Sequence, residues 1–252
     1  MTAQRNKTIV ITGASSGIGS ALAQEYAQRG FDVALCARRE EKLAQQCEQL
    51  QQQFPNQTFI AAALDVNQLD RVATVINQLQ QQLGQIDILV ANAGITGVRR
   101  TGSGDLSTDI NILNTNLLGA IATIDAAVAV FKQQNRGQLV GISSFSAFRG
   151  IPGSAAYSAS KAALTNYLQA VSTELHSQNI DITCIHPGFI NTDISDNMDK
   201  FPFVIEADKA AAEMANAIDK KKKNVTVPSW PWSLIKTIIP KLPDSVLAKV
   251  FG

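Results

Sequence analysis

The chain opens with Thr8-Ile9-Val10-Ile11-Thr12-Gly13-Ala14-Ser15-Ser16-Gly17-Ile18-Gly19. A β-branched apolar run stops at a glycine-rich turn and passes straight into a helical pattern. Glycines admit a tight turn and a close backbone approach, and the first turn of a helix offers free N–H groups to an anion such as a pyrophosphate. A glycine-rich turn alone is a weak signal. Its position between the first strand and the first helix of a βαβ unit is the context that strengthens it.

Outward from this stretch, short β-branched runs alternate with longer helical patterns. The strand runs are Thr8–Thr12, Val33–Ala37, Thr58–Ala62, Ile86–Ala91, Gln138–Ile142, Asp181–His186 and Asn224–Val227. They are nearly continuous in apolar residues, as suits parallel strands covered on both faces. Helical patterns fill the intervals at about Gly17–Arg29, Glu40–Phe54, Gln68–Leu83, Ile110–Gln134, Ser154–Ser177 and Ala207–Lys222. The alternation predicts an α/β fold: a Rossmann-type, doubly wound, mostly parallel seven-stranded sheet with helices on both faces. The glutamine clusters Gln45–Gln53 and Gln78–Gln82 alternate with Leu50, Phe54, Ile76, Leu79 and Leu83, and read as solvated helix faces.

No Pro/Gly-rich linker divides the chain, so residues 1–228 are expected to form one domain and 229–252 an apolar C-terminal extension. Pro231, Pro240 and Pro243 rule out one long helix in that tail. Three readings are open for it: a lid on its own subunit, an arm crossing to a partner subunit, or a membrane-surface contact. The last would use Lys220–Lys223, Lys236, Lys241 and Lys249 beside apolar residues and two tryptophans.

A net charge of +1 excludes an overall field that would gather nucleic acid or membrane. Cys36, Cys47 and Cys184 are odd in number and widely spaced, as in a reduced thiol set rather than a disulfide framework. The polar start Met1-Thr2-Ala3-Gln4 runs directly into a strand and leaves no room for a signal peptide. No stretch is read as reaching the roughly 18 apolar residues of a membrane span. The expected location is cytoplasmic. His176 and His186 lack a partner cluster, so no metal site is expected.

Tyr157 and Lys161 stand four apart in a helical pattern and share one face. An ammonium ~4 Å from a phenol, at an effective dielectric of about 20, favours the phenolate by roughly 4 kcal/mol. That is about three pKa units, enough to bring a tyrosine from ~10 towards ~7 and fit it for proton exchange with an alcohol or carbonyl oxygen. Alone, such a pair is usually no more than a helix surface.

Here the pair has company. The loop Thr12–Gly19, the triplet Asn92-Ala93-Gly94, the pair Ser143-Ser144, Tyr157–Lys161 and Pro187-Gly188 come in the order that resembles the short-chain dehydrogenase/reductase family, over residues 7 to about 227. The resemblance implies an NAD(P)-dependent oxidoreductase. Tyr157 would be its general acid/base, and Lys161 would tune that phenol and bind the nicotinamide ribose. The family's serine lies thirteen residues before the tyrosine, which selects Ser144 over Ser143. Asn116 would support a water-linked proton path to the lysine, with Asn114 its rival.

The same resemblance implies a cofactor site. It draws on Gly13, Ser15, Ser16, Gly17, Ile18 and Gly19; on Asp65 and Val66 near the adenine; on Asn92, Ala93 and Gly94 beside its ribose; and on Pro187, Gly188, Ile190 and Thr192 on the nicotinamide side. The second strand ends in Ala37-Arg38-Arg39, with no carboxylate before Glu40. An acid there would hold a ribose 2′-hydroxyl, whereas Arg38, with Arg39, suits a 2′-phosphate, so NADP(H) is expected ahead of NAD(H). Two features depart from the family: Ala91 where a second asparagine usually stands, and an ending that is not glycine-rich.

The segments Ile95–Leu106, Phe145–Gly153 and Phe189–Ile205 would line a substrate pocket with Phe145, Phe148, Phe189, Met198, Phe201 and Phe203. This predicts a hydrophobic ketone or secondary alcohol, unless the rings pack into the core. Arg99 and Arg100 would meet an anionic group or merely be solvated. The helices Ile110–Gln134 and Ser154–Ser177 predict, by family resemblance, a homodimer or homotetramer. The other reading of the whole chain is a non-catalytic NADP-binding regulatory protein, but such proteins typically lose a catalytic residue that this chain keeps.

Overall fold

A computed structural model of the protein describes residues 5–192 and 201–251. Seven strands form one sheet: β1 (Thr8–Thr12), β2 (Asp32–Ala37), β3 (Phe59–Ala63), β4 (Ile88–Ala91), β5 (Gly137–Ile142), β6 (Ile180–Pro187) and, after a two-strand ribbon, β9 (Asn224–Val227). Their order is β3-β2-β1-β4-β5-β6-β9, and every pairing is parallel. Chain direction therefore reverses its winding between β1 and β4, where an open α/β sheet leaves a crevice at the carboxyl ends of its strands.

Side chains alternate between the two faces of each strand. Ile9, Ile11, Val33 and Leu35 pack with α1 (Gly17–Gln28), α2 (Glu40–Gln53) and α7 (Ala207–Asp219) through Leu22, Tyr26, Leu43, Leu50 and Met214. Val10, Ala34 and Cys36 face α3 (Leu69–Leu83), α5 (Gly119–Gln134) and α6 (Ala155–Glu174) through Ile76, Leu79, Ile124, Phe131, Leu164 and Leu168. This two-sided burial is why the strands are apolar throughout.

The expected strand Ile86–Ala91 starts only at Ile88. The Asp87 carboxylate is used as a side-chain acceptor for Thr8 N (2.9 Å), and Ile86 N donates to Gln134 Oε1 (2.9 Å). The expected helix Ile110–Gln134 begins earlier, as α4 (Ser107–Leu113), and is interrupted by a π turn at Asn114–Leu118 before α5. Ser107–Gln134 is, by length and composition, apolar enough to cross a membrane, contrary to the sequence expectation. Half of its most apolar window is buried inside the fold, where α5 packs Ile124, Ala127 and Phe131 against the sheet as a core helix does.

Two features lie beyond the reach of periodicity: the ribbon β7 (Ile190–Asn191) with β8 (Ile205–Glu206), and the tail. The tail folds as α8 (Ser229–Ile238), a short 3-10 turn at Ile239–Lys241 and α9 (Asp244–Phe251). Its Trp232, Ile239 and Leu247 bury with Phe145, against Phe148, Ile151 and Phe189 of the main body, and Arg149 forms an ion pair with Asp244. Lys220–Lys223 precede β9 and the tail follows it. Lys221 pairs with Asp181 at 2.7 Å.

Candidate active site

β1, β4, β5 and β6 end at one edge of the sheet, and the loops that follow them carry the motifs. After β1 the chain turns through Gly13 (φ 68°) and Gly17 (φ 56°), a left-handed geometry that a Cβ would strain. A Cβ on Gly13 would lie 2.7 Å from Ala93 Cα, and one on Gly19 would lie 2.6 Å from Asn92 Nδ2. Asn92 is the tie between the two loops: its Nδ2 donates to Thr12 O (2.9 Å) and Gly13 O (3.2 Å). Thr12 Oγ1 accepts from Asn92 N (3.1 Å) and Ala93 N (3.2 Å). Asn92 thus supports the turn in addition to bordering it, and Ala91 is a buried β4 residue.

Ser16 caps α1 without a side-chain bond, and no acidic residue occupies that helix's first turn. The amides around Gly17, Ile18 and Gly19 are therefore presented to an anion with no competing carboxylate. The Arg39 guanidinium reaches back over this turn: Nη2 donates to Ser15 Oγ (2.8 Å) and Ser16 Oγ (2.6 Å), and Nε to Ser15 Oγ (3.0 Å). Arg38 is exposed beside it at the end of β2. The sequence reading put Arg38 first; the structure brings Arg39 onto the turn as well. After β3, Asp65 Oδ1 accepts from Asn67 N (3.0 Å), and Val66 is buried where Gly119 lets α5 approach.

At the other side of the crevice, Pro187 closes β6 and Gly188 N donates to Val227 O (2.8 Å). Ile190 is buried in the core, and Thr192 comes back to Gly17, whose Cβ position lies 3.4 Å from Thr192 Cβ. The two ends of the expected cofactor site therefore meet.

Between them sits the polar cluster. Lys161 is buried on α6, and its Nζ donates to Ile142 O at 2.8 Å. Asn116, re-aimed inward by the π turn, clamps Ile95: its Oδ1 accepts from Ile95 N (2.8 Å) and its Nδ2 donates to Ile95 O (2.9 Å) and to Ser160 Oγ (3.3 Å). Asn114 sits half-buried at the start of that turn. Asn116 Oδ1 and Lys161 Nζ both border Gly94, at 3.3 and 3.5 Å from its Cβ position. Ser144 Oγ accepts from Ser146 N (3.2 Å) and Ser146 Oγ (3.0 Å). Ser143 faces the other way, donating to Lys161 O (3.0 Å) and sharing a 2.7 Å contact with Thr165 Oγ1. The choice of Ser144 is thus matched by orientation.

The electrostatics differ from the sequence argument. Burial raises the Tyr157 phenol above its usual value, with a hydrogen bond to Ser144 opposing the rise. The expected depression by Lys161 is not present in the chain by itself. Nζ lies 5.8 Å from the Tyr157 ring centroid, and burial pushes the ammonium itself down to about 8.

Sequence reasoning missed the role of His186. It is buried behind Ser144, its ring 4.6 Å from that of Phe148. A carbonyl oxygen only accepts, so Nδ1 carries the proton to Ser144 O (3.3 Å) and Nε2 accepts from the Cys184 thiol (3.4 Å). Burial, with the Ser144 bond opposing and the Lys236 charge adding, pushes this imidazole down to about 4. Ser146 and Ser160 were missed too, since a hydroxyl two positions after Ser144, or between Tyr157 and Lys161, carries no pattern of its own.

On the substrate side, Phe145, Phe148 and Phe189 are engaged by the tail, and Phe189 stacks on Phe201 at 4.5 Å. Phe203 is exposed, and Met198 lies outside the described residues. Val98, 84% exposed, stands against Gly153 at the mouth. Arg99 is bound to Asp109 (2.6 Å) and to Ser103, so it is not free to meet an anion; Arg100 is exposed in its loop.

Comparison with known proteins agrees with this geometry. A family model described as short chain dehydrogenase matches residues 7–202. An uncharacterized oxidoreductase of Mycobacterium tuberculosis is 34% identical over 244 residues, covering 96% of each chain. Among solved structures, an alcohol dehydrogenase from the archaeon Thermococcus sibiricus, complexed with 5-hydroxy-NADP, superposes with a TM-score of 0.80 at 25% identity, over 88% of this chain and 96% of that one. A short chain dehydrogenase/reductase from Burkholderia phymatum in complex with NAD shares the fold, with a TM-score of 0.84 at 19% identity, over 100% of this chain and 98% of that one. The chain belongs to the short-chain dehydrogenase/reductase family and is an oxidoreductase of that type, working with a nicotinamide cofactor.

Proposed function

We propose that the protein transfers hydride between NADP(H) and a hydrophobic ketone or secondary alcohol, with Tyr157 as general acid/base. The observation that carries the reading is the convergence of Ser144, Tyr157, Lys161 and Asn116 at the crevice whose far end is the Gly13–Gly19 turn with Arg39 on it. The residues fit a dinucleotide: glycines stand where a Cβ would collide, and the first turn of α1 is free of acid. When bound, the nicotinamide supplies or accepts the hydride.

The chain's own residues do the rest. Ser144 Oγ holds the substrate oxygen as charge develops on it, and Tyr157 Oη gives that oxygen a proton in reduction or takes one in oxidation. Lys161 holds positive charge beneath the site and, with Asn116 across Gly94, returns the proton. Burial raises the Tyr157 phenol, so at neutral pH it carries the proton that reduction would deliver to the substrate oxygen. The exposed apolar Val98 and Phe203 support a hydrophobic substrate.

NADP(H) is favoured over NAD(H) because two arginines and two serines, with no carboxylate, frame the position beyond the adenine ribose. A charge-assisted hydrogen bond contributes roughly 1.5–3 kcal/mol, so Arg38→Ala or Arg39→Ala is expected to weaken NADPH about 10- to 100-fold and NADH far less. Equal losses for the two cofactors would leave NAD(H) as the better assignment. The decisive test of the chemistry is Tyr157→Phe, expected to abolish turnover in a carbonyl and alcohol screen while NADPH binding stays nearly intact. Near-normal turnover by that variant would sink the assignment, and NADPH binding without turnover by the wild type on any carbonyl would favour a regulatory role.

A further inference from the structure

We propose that Trp232, on the C-terminal tail, is a positioning residue of the active site: its indole clamps Gly188 and so sets the loop Pro187–Thr192. The inference rests on that loop being the nicotinamide-side wall, as in the function proposed above.

Three observations lead to it. First, the indole lies on Gly188 so closely that a Cβ there would be 2.7 Å from Trp232 Cδ2 and nearer still to Cε2 and Nε1. No other residue type fits Gly188 while that ring is in place. Second, the same ring touches the loop on the catalytic side. Its centroid is 4.6 Å from that of Phe145, the residue following Ser144, and 5.3 Å edge-on from Phe189, the residue following Gly188. One side chain from the tail therefore braces the serine loop and the nicotinamide-side loop together. Third, Trp232 is only 3% exposed, yet its Nε1–H finds no acceptor among the described residues. Leaving a buried donor unpaired is unfavourable. A phenylalanine would keep the packing without that cost. What the position uses is an aromatic ring pressed on Gly188 and on Phe145 together.

The main chain strengthens the clamp. Gly188 N donates to Val227 O, so the loop is tied to β9 at one atom and pressed by α8 at the next. Trp232 sits five residues beyond Val227, at the start of the helix that β9 feeds. Moving α8 moves the wall.

The test is a double-substitution cycle read by NADPH binding, so that it does not depend on knowing the substrate. Trp232→Leu and Gly188→Ala are each expected to weaken NADPH at least 10-fold. The double variant is expected to bind no worse than the weaker single one, because removing the indole makes room for the new Cβ. Trp232→Phe, which keeps a ring on Gly188, is expected to stay within about threefold of wild type. Losses that multiply in the double variant would overturn the proposal, as would wild-type affinity in a folded Trp232→Leu protein. A loss in Trp232→Phe as large as that in Trp232→Leu would do the same. Should Trp232→Leu fail to fold, a second readout remains. In a Trp230→Phe background the exposed Trp230 is gone and Trp232 is the sole tryptophan. NADP+, which does not absorb tryptophan emission, is expected to shift or quench that emission with the same Kd as its binding. Emission that stays constant while NADP+ binds would overturn the proposal. A wild-type protein that binds neither NADPH nor NADH would defeat the function reading beneath it, which separates the two failures.

Discussion

Lys161 shows how a single residue can be costly to the fold and necessary to the site. Burial lowers its ammonium to about 8, against 10.5 in an unfolded chain. Between those values the unfolded state binds more protons than the native one, so the Lys161 contribution becomes more favourable as pH rises and is at its worst below 8. The burden at neutral pH is about 3 kcal/mol. Lys161→Met is therefore expected to raise the melting temperature by several degrees at pH 7, and not at pH 10.5, while turnover disappears. A thermal scan at both pH values checks this, and a lower Tm at pH 7 would contradict it. His186 has the same sign in a lower window. Its stabilising contribution is full above about 6.5 and is lost as pH falls toward about 4, worth about 3 kcal/mol in all. His186→Leu should flatten the fall in Tm between pH 6.5 and 4.5, and an unchanged slope would assign that fall to other groups. Substituting Ser144 with alanine removes the hydroxyl expected to meet the substrate oxygen, and turnover should drop by about 10²–10³. Neither His186 nor the balance at Tyr157 was legible in the sequence. Both depend on what surrounds a side chain, and a spacing rule sees only what lies along the chain.

At the scale of elements, the inner strands were legible almost to the residue because they are buried on two faces and are apolar nearly from end to end, whereas the edge strand β3 is only half-buried. What escaped was whatever depends on a single side chain capturing the backbone. Asp87 shortens β4 by accepting from Thr8, and the polar run Asn114-Thr115-Asn116 opens a π turn in a helix that its periodicity reads as continuous. Short polar side chains compete for backbone groups and loosen a helix where they cluster. In this chain the interruption has a use: it turns Asn116 inward, where its amide closes on both backbone groups of Ile95. Asn116→Leu is similar in volume and keeps the helix, but it cannot make those bonds. The expected result is a kcat at least 10-fold lower together with faster amide exchange across residues 95–106. Unchanged exchange with lowered kcat would place Asn116 in the proton path alone and not in loop support.

For the whole molecule, the tail and the central helices set what the domain can do beyond its own chemistry. The tail covers Phe145, Phe148, Ile151 and Phe189, so three of the five rings assigned to a substrate pocket from sequence are walls shared with α8 and α9. Their spacing along the chain could not show this, because the partner that covers them lies some 40 to 100 residues further on. The opposite situation holds for α5 and α6. Their outward faces carry Asp125, Ala129, Ala159, Ala162 and Asn166, and Leu118 beside them is exposed. Small side chains let two helices approach closely across a two-fold axis, where the same patch meets its own copy. A homodimer or homotetramer is the assembly we propose, with this face as its seam. Light scattering behind size exclusion is expected to give at least twice the 27.0 kDa chain mass at micromolar concentration. Ala129→Glu, which puts a charge on the exposed face of α5, should reduce the mass to that of the single chain while leaving the far-UV spectrum unchanged. A wild-type protein that runs as a monomer would remove the seam from the argument, and a variant that stays assembled would move it to another face.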